Sequence, residues 1–162
     1  MKAIVAVDLN WGIGCAGELL EVIPEDMKFF KEKTIGKVLI MGRGTFDSLP
    51  GRAPLKDRLN IVLSKDYSFE DSRLTVCRSL DEVFENIKGY DTKDIYVIGG
   101  QSVFTQFMPY CTEAYVTKIH KTYSADKYFP NLYKEDSWEL VSESEIKEFK
   151  SVEYNFLKYR KK

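Results

Sequence analysis

One acid in this chain stands where a carboxylate can do chemistry. Asp26 lies in Ile23-Pro24-Glu25-Asp26-Met27-Lys28-Phe29-Phe30. A proline at the first helical position puts Asp26 in the first turn, where the macrodipole already favours negative charge. That alone accounts for an acid there. But Asp26 also shares a helix face with Phe30 and adjoins Met27, which aims its carboxylate at an apolar pocket. In such a pocket its proton affinity shifts, and it pairs with a planar, amidine-like heterocycle. Glu25, one position away, is expected to face water.

Glycines supply a second kind of chemistry. Gly12-Ile13-Gly14-Cys15-Ala16-Gly17 matches the dinucleotide-binding string G-x-G-x-x-G, but that motif needs a helix opening at its glycines. Pro24 comes too late for it, and no acid closes the next strand. The segment is a glycine-punctuated loop, either plain surface or an active-site lid. Ile98-Gly99-Gly100-Gln101-Ser102 is a stronger signal, because it ends a buried strand and precedes a helix carrying Val103 and Phe104. Open α/β sheets bind ligands there, and paired glycines admit a phosphate or ring close to the backbone. Gly42-Arg43-Gly44-Thr45 repeats the plan, Ser64-Lys65 ends another strand, and Arg78 a further one. Together these strand ends suggest a polyphosphate ligand, with Arg43 suited to a terminal phosphate.

The elements that would position these groups are legible. Strands are expected over Lys2 to Asp8, Val38 to Met41, Leu59 to Leu63, Leu74 to Cys77, Ile95 to Ile98, Ala114 to His120, Trp138 to Ser144 and Val152 to Tyr159. Continuous runs such as Val38-Leu39-Ile40-Met41 suit a sheet covered on both faces. Helices fit between them: one opened by Pro24, one capped by Thr45, one with a capping box at Ser79-Leu80-Asp81-Glu82, and one capped by Ser102 that stops before Pro109. The prediction is a single α/β domain over residues 1–162. Its mostly parallel central sheet has about eight strands, ends in a C-terminal antiparallel hairpin and is flanked by four helices.

Composition narrows the function. The chain has 162 residues, 24 Lys plus Arg and 25 Asp plus Glu, a formal charge of −1 that leaves no basic surplus for nucleic acid. No apolar run approaches the ~20 residues of a membrane span, and the N-terminus does not read as a signal peptide. Cys15, Cys77 and Cys111 lack paired spacing and read as reduced cytosolic thiols, hence a cytoplasmic protein. A single His120, read as structural or exposed, rules out a His-rich metal site. A monomer is the default for a small domain of near-neutral charge.

In order and spacing the chain resembles dihydrofolate reductase. The resemblance runs through Ile13-Gly14, Pro24-Glu25-Asp26 with Phe30, and Ile40-Met41-Gly42-Arg43-Gly44-Thr45-Phe46-Asp47-Ser48. It continues in Arg58-Leu59-Asn60-Ile61-Val62-Leu63-Ser64, Val97-Ile98-Gly99-Gly100 with Phe104, Tyr115-Val116-Thr117, and Asp126 with Phe129-Pro130. It implies reduction of dihydrofolate with NADPH, with a hydride passing to pterin C6 and a proton to N5. It implies that Asp26 holds the pterin's 2-amino group and N3, that Thr117 supports Asp26, and that Phe30, Val5, Ala6 and Met27 line the pterin pocket. Leu49 and Leu55 would surround the benzoyl group, and Arg58 would bind the glutamate tail's α-carboxylate. Ala6, Ile13, Gly14, Gly42, Arg43, Gly44, Thr45, Ser64, Lys65, Ile98, Gly99, Gly100, Gln101, Ser102, Val103 and Phe104 would hold NADPH, Arg43 and Ser64 near its 2′-phosphate. A cis peptide between Gly99 and Gly100 is also implied. No metal is.

Two departures stand out. The family's usual Pro-Trp is Leu20-Glu21 here, so Glu21 either adds a second carboxylate beside Asp26 or swings into solvent. Its usual Pro-Gly before the tail-binding Arg is Lys56-Asp57, which leaves Arg52 as a rival to Arg58. Two other functions suit parts of the pattern. A reductase of the same fold acting on a pyrimidine intermediate of flavin synthesis would not need both Arg58 and Asp26. A non-catalytic nucleotide-binding domain would not need an acid beside Phe30 and Thr117.

Overall fold

The computed structural model describes all residues, Met1–Lys162. Its strands are β1 (Lys2–Val7), β2 (Gly12–Gly14), β3 (Val38–Gly42), β4 (Leu59–Leu63), β5 (Thr75–Cys77), β6 (Ile95–Gly99), β7 (Glu113–Ile119), β8 (Lys127–Tyr128), β9 (Trp138–Glu143), β10 (Lys147–Phe149) and β11 (Val152–Lys161). Its helices are α1 (Pro24–Thr34), α2 (Arg43–Ser48), α3 (Leu80–Ile87) and α4 (Gln101–Phe107). The main sheet runs β10-β11-β7-β1-β6-β3-β4-β5, with β9 also on β11. From β7 to β5 every pairing is parallel. The antiparallel part is β11 with its neighbours β7, β9 and β10.

Right-handed crossovers explain where the helices lie. The links β1 to β3 and β3 to β4 travel one way along the sheet and carry α1 and α2. Those from β5 to β6 and β6 to β7 travel back and carry α3 and α4, so each pair covers the opposite face. The core divides accordingly. Val38, Ile40, Ile61 and Val97 pack with Val83, Ile87, Val103 and Phe107. Leu39, Met41, Val62 and Tyr96 pack with Phe46, against which Phe29 and Phe30 also lie. Successive residues of one strand enter different cores, which is why the strand sequences are continuously apolar.

The crossover direction reverses between β1 and β6. There β1 pairs with β6 only through Lys2↔Tyr96 and Ala3↔Val97, although it stays paired with β7 along its whole length. The sheet therefore opens at the carboxyl ends of β1 and β6. This is the crevice in which a doubly wound sheet takes a ligand.

Several local expectations are corrected. β2, β8 and β10 lack the apolar alternation that marks a strand, and they form through pairing alone: Gly12 with Tyr128, and Lys147–Phe149 with the start of β11. The expected hairpin of β9 and β11 exists, but β10 intervenes and turns through Lys150 and Ser151, both left-handed. Ser79 caps α3 as its sequence predicts, accepting from Glu82 N at 3.2 Å. The Glu82 carboxylate accepts from Arg78 N at 2.6 Å, not from Ser79 N. Neither Thr45 nor Ser102 is a cap. The chain turns straight from strand into helix at extended glycines, Gly42 before α2 and Gly100 before α4, leaving both hydroxyls inside the helices. No helix is long and apolar enough to cross a membrane.

Candidate active site

Asp26 sits in the first turn of α1, as Pro24 dictates. Thr117, buried in β7 and paired in register with Ala6, donates its hydroxyl to Asp26 Oδ1 at 2.6 Å. Burial pushes the Asp26 carboxyl above its ordinary range, and the Thr117 bond only partly opposes this. Its neighbour goes the other way. Glu25 does not simply face water: it accepts from the Tyr154 hydroxyl at 2.6 Å and pairs with Lys147 at 3.2 Å. The Tyr154 bond is the chief reason its carboxyl falls below the ordinary range. Adjacent acids driven apart in proton affinity are a recurring basis for acid–base specialisation.

Glu21 takes neither of the places expected for it. Its Oε2 accepts from the Tyr123 hydroxyl at 2.6 Å, and Glu21 is absent from the charges that act on Asp26.

The wall beyond Asp26 is apolar. Phe30, Leu49, Leu55 and Ile98 are half-buried against the Leu39–Met41–Phe46 core. Val5 and Ile13 pack on the opposite core, Ala6 on the Ile23–Ile119–Tyr154 cluster, and Met27 lies exposed at the rim. At the far end Arg58 donates Nη1 to Thr34 Oγ1 and Nε to the Lys56 carbonyl, both at 2.9 Å. Its remaining donors meet no carboxylate. Arg52 is already engaged, its Nη2 lying 2.9 Å from Asp47. Asn60 seats Arg58: its side chain accepts from Leu55 N and donates to the Leu55 and Arg58 carbonyls, all at 2.9–3.0 Å. Asn60→Ala strips a buried segment of these partners. It should lower the free energy of unfolding by about 2 kcal/mol in a urea titration, with the denaturant slope unchanged.

On the other side of the crevice the strand ends converge. The Gly99–Gly100 peptide is cis and Gly99 has φ 124°. A Cβ on Gly99 would lie 3.2 Å from Phe104 Cε2 and 3.4 Å from Thr45 Oγ1; one on Gly42 would lie 3.1 Å from Val103. The starts of α2 and α4 and the end of β6 thus form a cradle that side chains would fill. Arg43 lies 3.9 Å over the Phe69 ring, with Nε 3.2 Å from both Asp47 oxygens and Nη1 3.7 Å from Asp66. Ser64 is buried and accepts from Asp66 N, while Lys65 is exposed. Arg78 turns its guanidinium onto the neighbouring turn. It donates to the carbonyls of Asp66 and Phe69 and pairs with Glu70, bracing the turn after Ser64. At the edge strand β5, turn carbonyls and the Glu70 carboxylate are the acceptors within its reach.

A dihydrofolate reductase family model matches residues 1–161. The chain is 40% identical to dihydrofolate reductase of Bacillus subtilis (strain 168), over 98% of this chain and 93% of that one. It is 32% identical to dihydrofolate reductase of Staphylococcus haemolyticus, over 99% and 95%. A solved structure of dihydrofolate reductase from Enterococcus faecalis, complexed with NADP(H) and RAB-propyl, superposes with a TM-score of 0.87. It is 33% identical and covers 99% of this chain and 95% of its own.

The chain belongs to the dihydrofolate reductase family. Within that family's frame, the acid–threonine pair and the cis Gly99–Gly100 peptide stand as the resemblance implied. The supporting roles of Asn60 and Asp8 appear only in the folded chain. Asn60 carried a readable signal, as a lone polar residue inside the apolar run Leu59-Asn60-Ile61-Val62-Leu63. Asp8, fully buried, accepts from the backbone of Asn10, Gly12 and Tyr123, and nothing in its neighbours marks it out. His120 is exposed, with Nε2 2.8 Å from Asn155 Oδ1, away from the crevice.

Proposed function

We propose that the protein reduces 7,8-dihydrofolate to 5,6,7,8-tetrahydrofolate with NADPH, supplying one-carbon metabolism. The observation that carries the reading is the half-buried Asp26 carboxylate held by Thr117 beside the β1–β6 opening. A carboxylate there accepts two hydrogen bonds from a 2-aminopyrimidine edge, and its raised proton affinity favours the protonated ring.

The donor set fits the cofactor. The glycine cradle has space where Cβ atoms would otherwise intrude, and Arg43 and Thr45 in the first turn of α2, with Ser64 and Lys65 just past β4, stand where phosphates suit. Ala6, Ile13, Gly14, Gly42, Gly44 and the run Ile98 to Phe104 complete the assignment. Bound NADPH supplies a hydride from nicotinamide C4 to pterin C6. The chain itself does the rest. Asp26 orients the pterin through its 2-amino group and N3, and a water delivers the proton to N5, because the acid lies on the ring's far side. Thr117 fixes the carboxylate. Val5, Met27, Phe30, Leu49 and Leu55 exclude water around the ring and benzoyl group, and Arg58 grips the tail carboxylate.

A fall in NADPH absorbance on adding dihydrofolate to pure protein tests the reading, and a silent mixture refutes it. Gly99→Ala tests the cradle. A side chain at φ 124° is strained and meets Phe104. The variant should bind NADPH at least about tenfold more weakly by fluorescence titration, with dihydrofolate binding little changed. We assign the protein to the cytoplasm as a monomer. Its three free cysteines, two of them buried, suit a reducing compartment.

A further inference from the structure

The loop between β1 and α1 is tied down unevenly. Its first half is held by backbone: Leu9 N donates to the Lys121 carbonyl, β2 pairs with β8, and Asp126 bridges Gly14 O and Ala16 N at 3.0 Å each. Its second half has almost nothing. Leu19 to Val22 make no backbone hydrogen bond, and Leu19 and Val22 are each 59% exposed. The one polar attachment of that stretch is Glu21 Oε2 accepting from the Tyr123 hydroxyl at 2.6 Å.

Tyr123 is well placed to receive it. Its backbone N donates to Asp8 Oδ2 at 3.0 Å, the same carboxylate whose other oxygen holds Asn10 N and Gly12 N at the loop's start. Its ring packs against the Ile23–Ile119–Tyr154 cluster, which includes the residue from which α1 launches. Both ends of the loop therefore close on one short segment, Lys121 to Tyr128. Burial and the Glu21 carboxylate keep the phenol protonated, so it remains a donor.

We propose that the Glu21–Tyr123 hydrogen bond is a clasp that seats the second half of this loop against the crevice, making both side chains positioning residues for hydride transfer. The proposal rests on the reduction argued above. Neither side chain touches Asp26, so the clasp acts on loop placement and leaves substrate affinity nearly alone. A phenol bonded to a carboxylate is among the stronger single hydrogen bonds. Losing it raises the share of molecules whose loop is unseated, and with it the entry of water.

Single-turnover hydride transfer, dihydrofolate KM and thermal melting of wild type, Tyr123→Phe, Glu21→Gln and the double variant test it. Tyr123→Phe should slow hydride transfer roughly tenfold with KM within about twofold and the melting temperature nearly constant. Glu21→Gln, which keeps a weaker acceptor, should slow it about threefold, and the double variant should be no slower than Tyr123→Phe alone. Unchanged rates in the single variants, additive losses, or a slowing matched by lost stability would overturn the clasp. Should Tyr123→Phe not fold, an unchanged rate in Glu21→Gln overturns it equally. A wild type inactive with dihydrofolate would instead sink the reduction itself.

Discussion

Asp26→Asn should remove most of the turnover and yet leave a more stable protein at neutral pH. The amide can still accept from Thr117, so the fold around it is kept. It cannot take up the proton that the carboxylate binds, nor offer two anionic oxygens to a protonated ring edge. General acid–base contributions of this kind are worth roughly a hundredfold or more in kcat. NADPH affinity should change less than twofold, because no cofactor group lies on α1. Wild-type turnover should fall as pH rises through the raised Asp26 value, and the variant should lose that inflection. Stability moves oppositely. A carboxyl whose folded-state proton affinity exceeds its unfolded value makes the native state lose stability as pH climbs from the ordinary 3.8 through the raised value. Asn removes that loss. Thermal melts should show the variant above wild type at pH 7 and the difference closing as the pH approaches the ordinary carboxylate range. Equal activity, or a variant that melts lower at pH 7, would contradict the assignment.

Arg58→Leu should raise the KM for dihydrofolate by about a hundredfold with little change in kcat. A guanidinium paired with a carboxylate in a partly buried site contributes about 3 kcal/mol, which corresponds to that factor. The guanidinium is oriented in advance by Thr34 and the Lys56 carbonyl, and burial lowers its proton affinity with only Asp57 opposing. Arg58→Lys should recover only part of the loss, since an ammonium lacks the planar fork. A dihydropterin without the glutamate tail supplies the control, and its reduction should be equally fast in all three proteins. If Arg52→Leu produced the larger rise in KM, the tail would belong to the rival guanidinium despite its Asp47 pair.

The three strands without a sequence signal share one property. β2, β8 and β10 bury little, so no periodicity records them, and their existence depends on a partner far along the chain. The misplaced caps have a different origin. Thr45 and Ser102 have the residue type a cap prefers, but glycines at Gly42 and Gly100 let the strand bend directly into the helix three or two residues earlier. Arg78 shows the limit of reading charge at strand ends. The same guanidinium suits a phosphate or a set of turn carbonyls, and only the path of residues 64–70 brings the carbonyls within its reach.

The architecture was legible in the order of the residues. Continuous apolar strands, right-handed crossovers and glycines at strand ends leave few other ways to bury both faces of a sheet. The opposite shifts of the two first-turn carboxyls were settled by long-range packing alone. Glu25 and Asp26 adjoin each other in the same first turn, and although the Phe30 face singles out Asp26, nothing local names the partner of either. Their fates part because α1 docks between two strands from much later in the chain. Thr117, 91 residues on, meets Asp26 in a desolvated pocket, and Tyr154, 129 residues on, meets Glu25 beside Lys147. Proton affinity depends on those neighbours, and no local pattern encodes them.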